Sequence, residues 1–409
     1  MISVNHATEV DLSGKRVLVT GGTGFIGGRL VETLVRDCAA KVRVLVRDFT
    51  HVPRISRFPI ELVRGDVTSL EDVSRAVTGC ELVFHCAYGN QGSAGLRRRA
   101  TVLGTRNVVT AASLRSADRV VYVSTLAVYG HAPNGDLTES APRKYTGEVY
   151  GDSKLDAEKV AFALADRYKV PLTVVQPTIV YGPFAPYWTA NVINQLKTGR
   201  VILVDGGRGL CNAVYVDDVV QALLLAASRK EATGEAFLIS AERPIAWREF
   251  FDAFEQMLGV SRTVSMSVDE AKTYSRVRMR SRSLLYQVAA LLRKRVAAGG
   301  GIFQIPEISE FALLFRPAVP WMREFVRKLA SDPNLANGSN RRRDDLPIHP
   351  LDAYATRLFE SQVRVRIDKA KRLLGYRPAF DFRSGMEMTQ EWARWANLLD
   401  SRGTREWSR

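Results

Sequence analysis

Short runs of β-branched and apolar residues recur along the chain, separated by longer segments whose apolar residues return every three or four positions. The first run, Val17-Leu18-Val19-Thr20, stops at a cluster of glycines. An amphipathic segment carrying Leu30 and Leu34 begins at once, and this switch in spacing predicts strand, tight turn and helix. Val42-Arg43-Val44-Leu45-Val46 reads as a second strand running into a loop. Ile60 to Val67 reads as a third, ending in an acid, and Leu82 to Ala87 as a buried fourth. A helix is expected over 104–114, a fifth strand over 119–124, and a further helix from Tyr150 to Arg167. Repeated strand–helix units of this kind predict an α/β protein with a doubly wound parallel sheet.

The glycine cluster carries the first chemistry. Gly21 can take the positive φ of a tight turn, Gly24 lets a pyrophosphate approach the backbone, and Gly27 lets the helix pack on the strand. The free N–H groups and positive dipole end of that helix then hold the diphosphate. Gly-x-x-Gly-x-x-Gly differs from the common Gly-x-Gly-x-x-Gly fingerprint, but the strand–turn–helix context supports dinucleotide binding. The end of the second strand normally meets the adenosine ribose. Val46 stands where a carboxylate would bind the two ribose hydroxyls and Arg47 follows, which favours NADP. Asp48 leaves NAD open. Asp66 is a candidate partner for the adenine amino group, and the end of the fourth strand, at Ala87, borders the cofactor. His85 has no acid or second histidine near it in sequence and is read as structural.

Ser124 and Thr125 place hydroxyls at the carboxyl end of the fifth strand, where open α/β sheets bind ligands. Tyr150 and Lys154 share one face of the helix they open. An ammonium beside a phenol stabilises the phenolate and lowers its pKa. Such a tyrosine exchanges the hydroxyl proton of a substrate while a nicotinamide exchanges the hydride.

With these residues the chain resembles the extended short-chain dehydrogenase/reductase superfamily, in its NAD(P)-dependent epimerase/dehydratase group. The matching pieces are Thr20 to Gly27, Gly65-Asp66-Val67, Gly104 to Val108, Ser124-Thr125, Tyr150 with Lys154, Gln176 to Pro183, Val216-Asp217-Asp218-Val219 and Leu373 to Pro378. The likeness runs from about Lys15 to Arg262 and resumes near Gln362. It implies a Rossmann domain over 12–176 and 214–240. A smaller substrate-binding domain over 177–213 and 241–409 would include a basic helical insertion at about 263–346. It also implies Thr125, Tyr150 and Lys154 as catalytic residues, Thr125 holding the reacting oxygen with Ser124 in support. The cofactor would lie on Gly21, Gly24, Phe25, Ile26, Gly27, Arg47, Asp66, Val67, Ala87, Tyr150, Lys154 and Pro177, and no metal is expected.

Departures narrow the activity. Leu126-Ala127 stand where 4,6-dehydratases of the family carry Asp-Glu, so elimination of water is not expected. Cys211 stands where nucleotide-sugar members place a diphosphate-gripping arginine, with Arg208 nearby as a substitute. Thr101 replaces a usual asparagine. The expected reaction is hydride transfer between nicotinamide and a secondary alcohol or ketone, on a sugar linked to nucleotide or lipid. The runner-up is NADPH-dependent reduction of a sterol-like or phenolic ketone. A non-catalytic NADP sensor is the rival of another class, and hydride exchange would separate it from an enzyme.

Bulk properties add limits. The 409 residues are 46% hydrophobic and 25% charged, as in ordinary globular proteins. No apolar leader or membrane-spanning run is read, and four scattered cysteines fit a reducing cytoplasm. The net charge of +15 suits nucleic acid, anionic lipid or a phosphorylated substrate. No nucleic-acid-binding signature accompanies it, so no nucleic-acid partner is expected. Basic flanks around apolar stretches between Arg276 and Lys328 fit an interfacial helix on the inner face of a membrane, against the plainer reading of a substrate cap with solvated arginines. Residues 337–345 read as a flexible loop, and a homodimer stays open.

Overall fold

The computed structural model describes residues 10–279 and 346–399. Seven parallel strands form the main sheet: β1 Arg16–Thr20, β2 Lys41–Val46, β3 Glu61–Arg64, β4 Leu82–His85, β5 Arg119–Val123, β6 Leu172–Pro177 and β7 Ala236–Ile239. Their order is β7-β6-β5-β4-β1-β2-β3, with β1 hydrogen-bonded to both β2 and β4. The direction of travel across the sheet reverses there, and the crevice beyond the carboxyl ends of β1 and β4 is where such sheets bind ligands. Five helices matter for the site: α1 Phe25–Arg36, α2 Leu70–Val77, α3 Ala94–Leu114, α4 Val149–Tyr168 and α5 Val216–Ser228. β1, β2, β4, β5 and β6 are buried on both faces, which explains their continuous apolar runs.

Three boundaries differ from the expected ones. α3 starts ten residues before Gly104 because the Ser93 side chain accepts from the Leu96 N–H and caps it. β3 ends at Arg64 because Asp66 turns back, its Oδ1 accepting from the Thr68 N–H at 2.7 Å and hydroxyl at 2.8 Å. The expected insertion does not open on a helix. Thr263–Met266 is a strand that lies parallel to Arg200–Val204, and Ile348–His349 pairs with the same strand. The helix over 268–279 follows it. Residues 280–345, which hold most of the expected membrane-surface segment and the expected flexible loop, lie outside the described residues.

A second core gathers around Arg200–Val204 and the helix Trp247–Leu258, with Trp247, Phe250, Phe251, Phe254 and Phe359 packed ring against ring. The chain after 360 contributes to both cores. Ile367, Ala370, Leu374 and Tyr376 pack under the main sheet, while Phe380 and Met386 join the second core. The Val216–Val219 segment ties these parts together. Asp217 takes both Arg29 Nε and Nη2, at 2.6 and 2.9 Å, and Asp218 accepts from the Ala379 N–H at 2.7 Å. Among the described residues no helix is long and apolar enough to cross a membrane.

Candidate active site

The turn between β1 and α1 is built for close approach. Gly21 has φ +71°, and a Cβ there would lie 2.6 Å from the Ala87 nitrogen at the end of β4. A Cβ on Gly27 would run into the Gly21 carbonyl oxygen. Gly24 caps α1 with no side-chain hydrogen bond, so the first-turn N–H groups at Phe25 and Ile26 are left for an anion. A dinucleotide diphosphate fits this cradle. Asp66 and Val67 sit beyond β3, where Val67 is fixed by the Asn107 side-chain amide donating to its carbonyl at 2.9 Å. Pro177 closes β6 on the same edge of the sheet.

At the end of β2, Arg47 is exposed and makes no hydrogen bond or ion pair among the described residues. Asp48, which left NAD open in the sequence, is spent locally: it caps a short turn and accepts from the Thr50 N–H, the Thr50 hydroxyl and His51. Sequence reasoning missed Arg54. It reaches back to donate to the Phe25 carbonyl at 3.2 Å and lies 4.1 Å from the Phe184 ring centre. Burial pulls its pKa down to about 10, more than the charges of Glu32 and Asp217 restore. Its only sequence signal is a second basic residue one short turn beyond Arg47.

The catalytic candidates converge at the end of β5. Tyr150 opens α4 and is 46% exposed, and Thr125 at the end of β5 lies near enough to favour its phenolate. The Thr125 oxygen also accepts from the Ala127 N–H at 3.3 Å, which fixes its direction. Lys154 is buried and donates to the Val123 carbonyl at 2.7 Å, with its ammonium 4.9 Å from the Tyr122 ring centre and 5.5 Å from that of Tyr88. Tyr88, next to Ala87, packs edge-on against Tyr150 at 5.6 Å and so joins the glycine cradle to the catalytic helix.

One electrostatic expectation is corrected. Lys154 was expected to lower the Tyr150 pKa, yet the phenol is pushed well above its ordinary value, first by loss of water and then by the nearby phenols Tyr88, Tyr354 and Tyr187. Lys154 spends its hydrogen bond on Val123 rather than on the phenol, and burial lowers its own pKa to about 8. The three neighbouring tyrosines come from the loop after β4, a turn over Pro186–Asn191 and the helix Ala353–Glu360, so no local pattern could have announced them.

His85 is buried between the hydroxyls of Thr20 and Thr105, at 2.7 and 3.0 Å, and its pKa is pushed down to about 3 by burial and by Lys154. It is a neutral structural residue, as read from the sequence. Thr101, uninterpreted in the sequence, accepts from the Gly89 N–H at 2.9 Å and pins the loop after β4 to α3. Cys211 is fully buried in the aromatic core, and Arg208 is exposed and engages Gln362 only through its carbonyl. Among the described residues no acidic, histidine and cysteine cluster could hold a metal.

A family model, the NAD dependent epimerase/dehydratase family, matches residues 17–240. The chain belongs to that family. Curated relatives include a 4-hydroxy-2-methyl-3-oxo-4-farnesyl-3,4-dihydroquinoline-1-oxide ketoreductase of Stigmatella aurantiaca, 30% identical over 255 residues that cover 61% of this chain and 75% of the relative. A 3-beta-hydroxysteroid dehydrogenase of Mycolicibacterium neoaurum is 29% identical over 58% of this chain and 68% of its own. Among solved structures, the epimerase Mth375 of Methanothermobacter thermautotrophicus superposes with a TM-score of 0.63 at 21% identity, covering 94% of both chains. MoeE5 in complex with UDP-glucose and NAD gives 0.61 at 21% identity, covering 93% of this chain and 99% of its own. These two share the fold. The protein is an NAD(P)-dependent enzyme of the extended short-chain dehydrogenase/reductase type.

Proposed function

We propose that this enzyme is an NADPH-dependent reductase of an apolar ketone. The carrying observation is aromatic: Tyr88 packs edge-on against the Tyr150 ring at 5.6 Å, and the phenols of Tyr187 and Tyr354 lie near enough to act on the Tyr150 hydroxyl. Tyr187 is 67% exposed, so this aromatic wall faces incoming substrate. Aromatic walls with few polar groups suit apolar ligands. Sugar diphosphates need a fixed cation, and the Cys211 position, buried among aromatic rings, offers none. The sugar-linked substrate expected from the sequence therefore rests on fold likeness alone, and the curated ketoreductase and steroid dehydrogenase relatives support the apolar reading.

NADPH supplies the hydride when bound. The chain does the rest. Tyr150 is a phenol and so is protonated at neutral pH, which suits a general acid in the reducing direction. It gives its proton to the carbonyl oxygen as hydride reaches the carbonyl carbon, and the ketone becomes a secondary alcohol. Thr125 donates a hydrogen bond to that oxygen and orients it. Arg47 and Arg54 favour the 2′-phosphate of NADP, while Asp48 is already engaged. In this reading 12–176 and 214–240 carry cofactor and catalysis, and 177–213 with 241–409 shape the substrate side.

The test is oxidation of NADPH with a 3-ketosteroid, a 2-alkyl-3-oxoalkanoate and UDP-glucose as separate substrates. Turnover is expected with an apolar ketone. Interconversion of UDP-glucose and UDP-galactose without turnover of any ketone would overturn the reading.

From the sequence we also propose contact between residues 276–328 and an anionic membrane surface, where each basic residue contributes about 1 kcal/mol. Co-sedimentation with anionic vesicles at low salt, lost at high salt, is the expected result. Equal recovery with neutral vesicles would contradict it.

A further inference from the structure

Tyr150, Lys154 and Glu158 recur at every fourth residue of α4 and so share one face. Lys154 donates to the Val123 carbonyl at the end of β5, next to the catalytic candidate Thr125, and Glu158 lies one turn further along the same face. Neither catalytic chemistry nor the cradle uses Glu158, yet it is only 1% exposed. A buried carboxylate is costly unless it is paired and hydrogen-bonded. Here Oε1 accepts from the Gln176 amide at 2.8 Å, and Oε2 lies 3.0 Å from Arg143 Nε. Gln176 in turn accepts from the Tyr129 hydroxyl at 2.8 Å, so the network joins β6, α4, the turn after β5 and the loop before α4.

We propose that Glu158 is a positioning residue for catalysis: it ties the catalytic face of α4 to β6 and to the loop before α4, and it sets a negative charge one helical turn from the Lys154 ammonium. The proposal deepens the reductase reading and rests on it only for its kinetic arm. The groups that act on Lys154 are few. Cys86 and Glu158 favour its charged form, burial opposes it, and the rings of Tyr88 and Tyr122 face the ammonium. His85 lies near enough to feel the Lys154 charge, but stays neutral. Around Glu158 stand Arg143, Gln176, Ser124 and Lys154, each of which favours its ionised form against burial. Removing its charge therefore weakens the hold on the Lys154 proton, which burial has already brought down to about 8.

Two variants separate charge from packing. Glu158→Gln keeps the volume and loses the charge, while Glu158→Asp keeps the charge and loses reach. Lysine-selective ¹⁵N NMR of the full chain, with Lys154→Met to assign the signal, follows the Lys154 titration with no substrate present. Glu158→Gln should move that titration down by about one pH unit, and Glu158→Asp should leave it near the original value. The alkaline limb of NADPH-dependent 3-ketosteroid reduction should move with it, with KM changed less than kcat. A Lys154 titration in Glu158→Gln equal to that of the parent would overturn the proposal, as would an equal shift in both variants. If the NMR shift appears but no ketone is reduced, the reductase reading fails and the positioning role stands.

Discussion

Tyr150→Phe should fold, bind NADPH as before, and turn over about 10²–10⁴-fold more slowly, the range typical of a lost general acid. The substitution removes one oxygen and leaves the ring, so the edge-on contact with Tyr88 survives. Nearly half of the residue faces solvent, so little packing is at stake. The loss should fall on kcat, because the Tyr150 proton is needed only as the carbonyl oxygen gains charge. Near-normal turnover in a folded variant would remove Tyr150 from the mechanism. The pH profile carries a second signature. The Lys154 ammonium is present below about pH 8 and is lost as pH rises through that value, so activity that depends on it should fall along the alkaline limb. Lys154→Met should abolish that limb rather than move it.

Replacing Arg47 and Arg54 together by alanine should weaken NADPH binding by about 10²-fold or more while NADH binding changes little. Hydrogen bonds to charged groups contribute about 1.5–3 kcal/mol each, and only NADPH offers a 2′-phosphate to receive them. Arg47 is the clean arm, since it is exposed and has no other partner among the described residues. Arg54 also holds the Phe25 carbonyl and the Phe184 ring, so its single variant should cost some NADH affinity as well. Fluorescence titration of both cofactors against all three variants reads the difference. Equal losses for NADPH and NADH in Arg47→Ala would count against NADP.

What was legible in the sequence was what short-range pattern encodes. The strands β1, β2, β4 and β5, the glycine turn and the four-residue spacing of Tyr150 and Lys154 all write themselves locally, because periodicity and turn chemistry act over a few residues. The start of α3 was missed because a single serine cap outweighed a glycine placed mid-helix. Tyr88, Tyr187 and Tyr354 were invisible as a group because three distant segments bring them together. The Tyr150 pKa was misjudged for a related reason. Helical spacing places Lys154 near the phenol, but it says nothing of the Val123 carbonyl that takes its hydrogen bond, nor of the water lost around both groups. Cys211 was legible as a departure, and its burial supplied the meaning.

The pairing of Thr263–Met266 and Ile348–His349 on either side of Arg200–Val204 has a bearing on how this enzyme tolerates change. Both gateways of the intervening stretch are stapled to one strand, so the ends stay a fixed short span apart whatever lies between them. Loop-closure entropy grows only logarithmically, and doubling such a stretch costs about 0.6 kcal/mol. The spacing of those two ends, and with it the frame that Arg200–Val204 gives the second core, is therefore set by strand pairing and not by the length of chain between them.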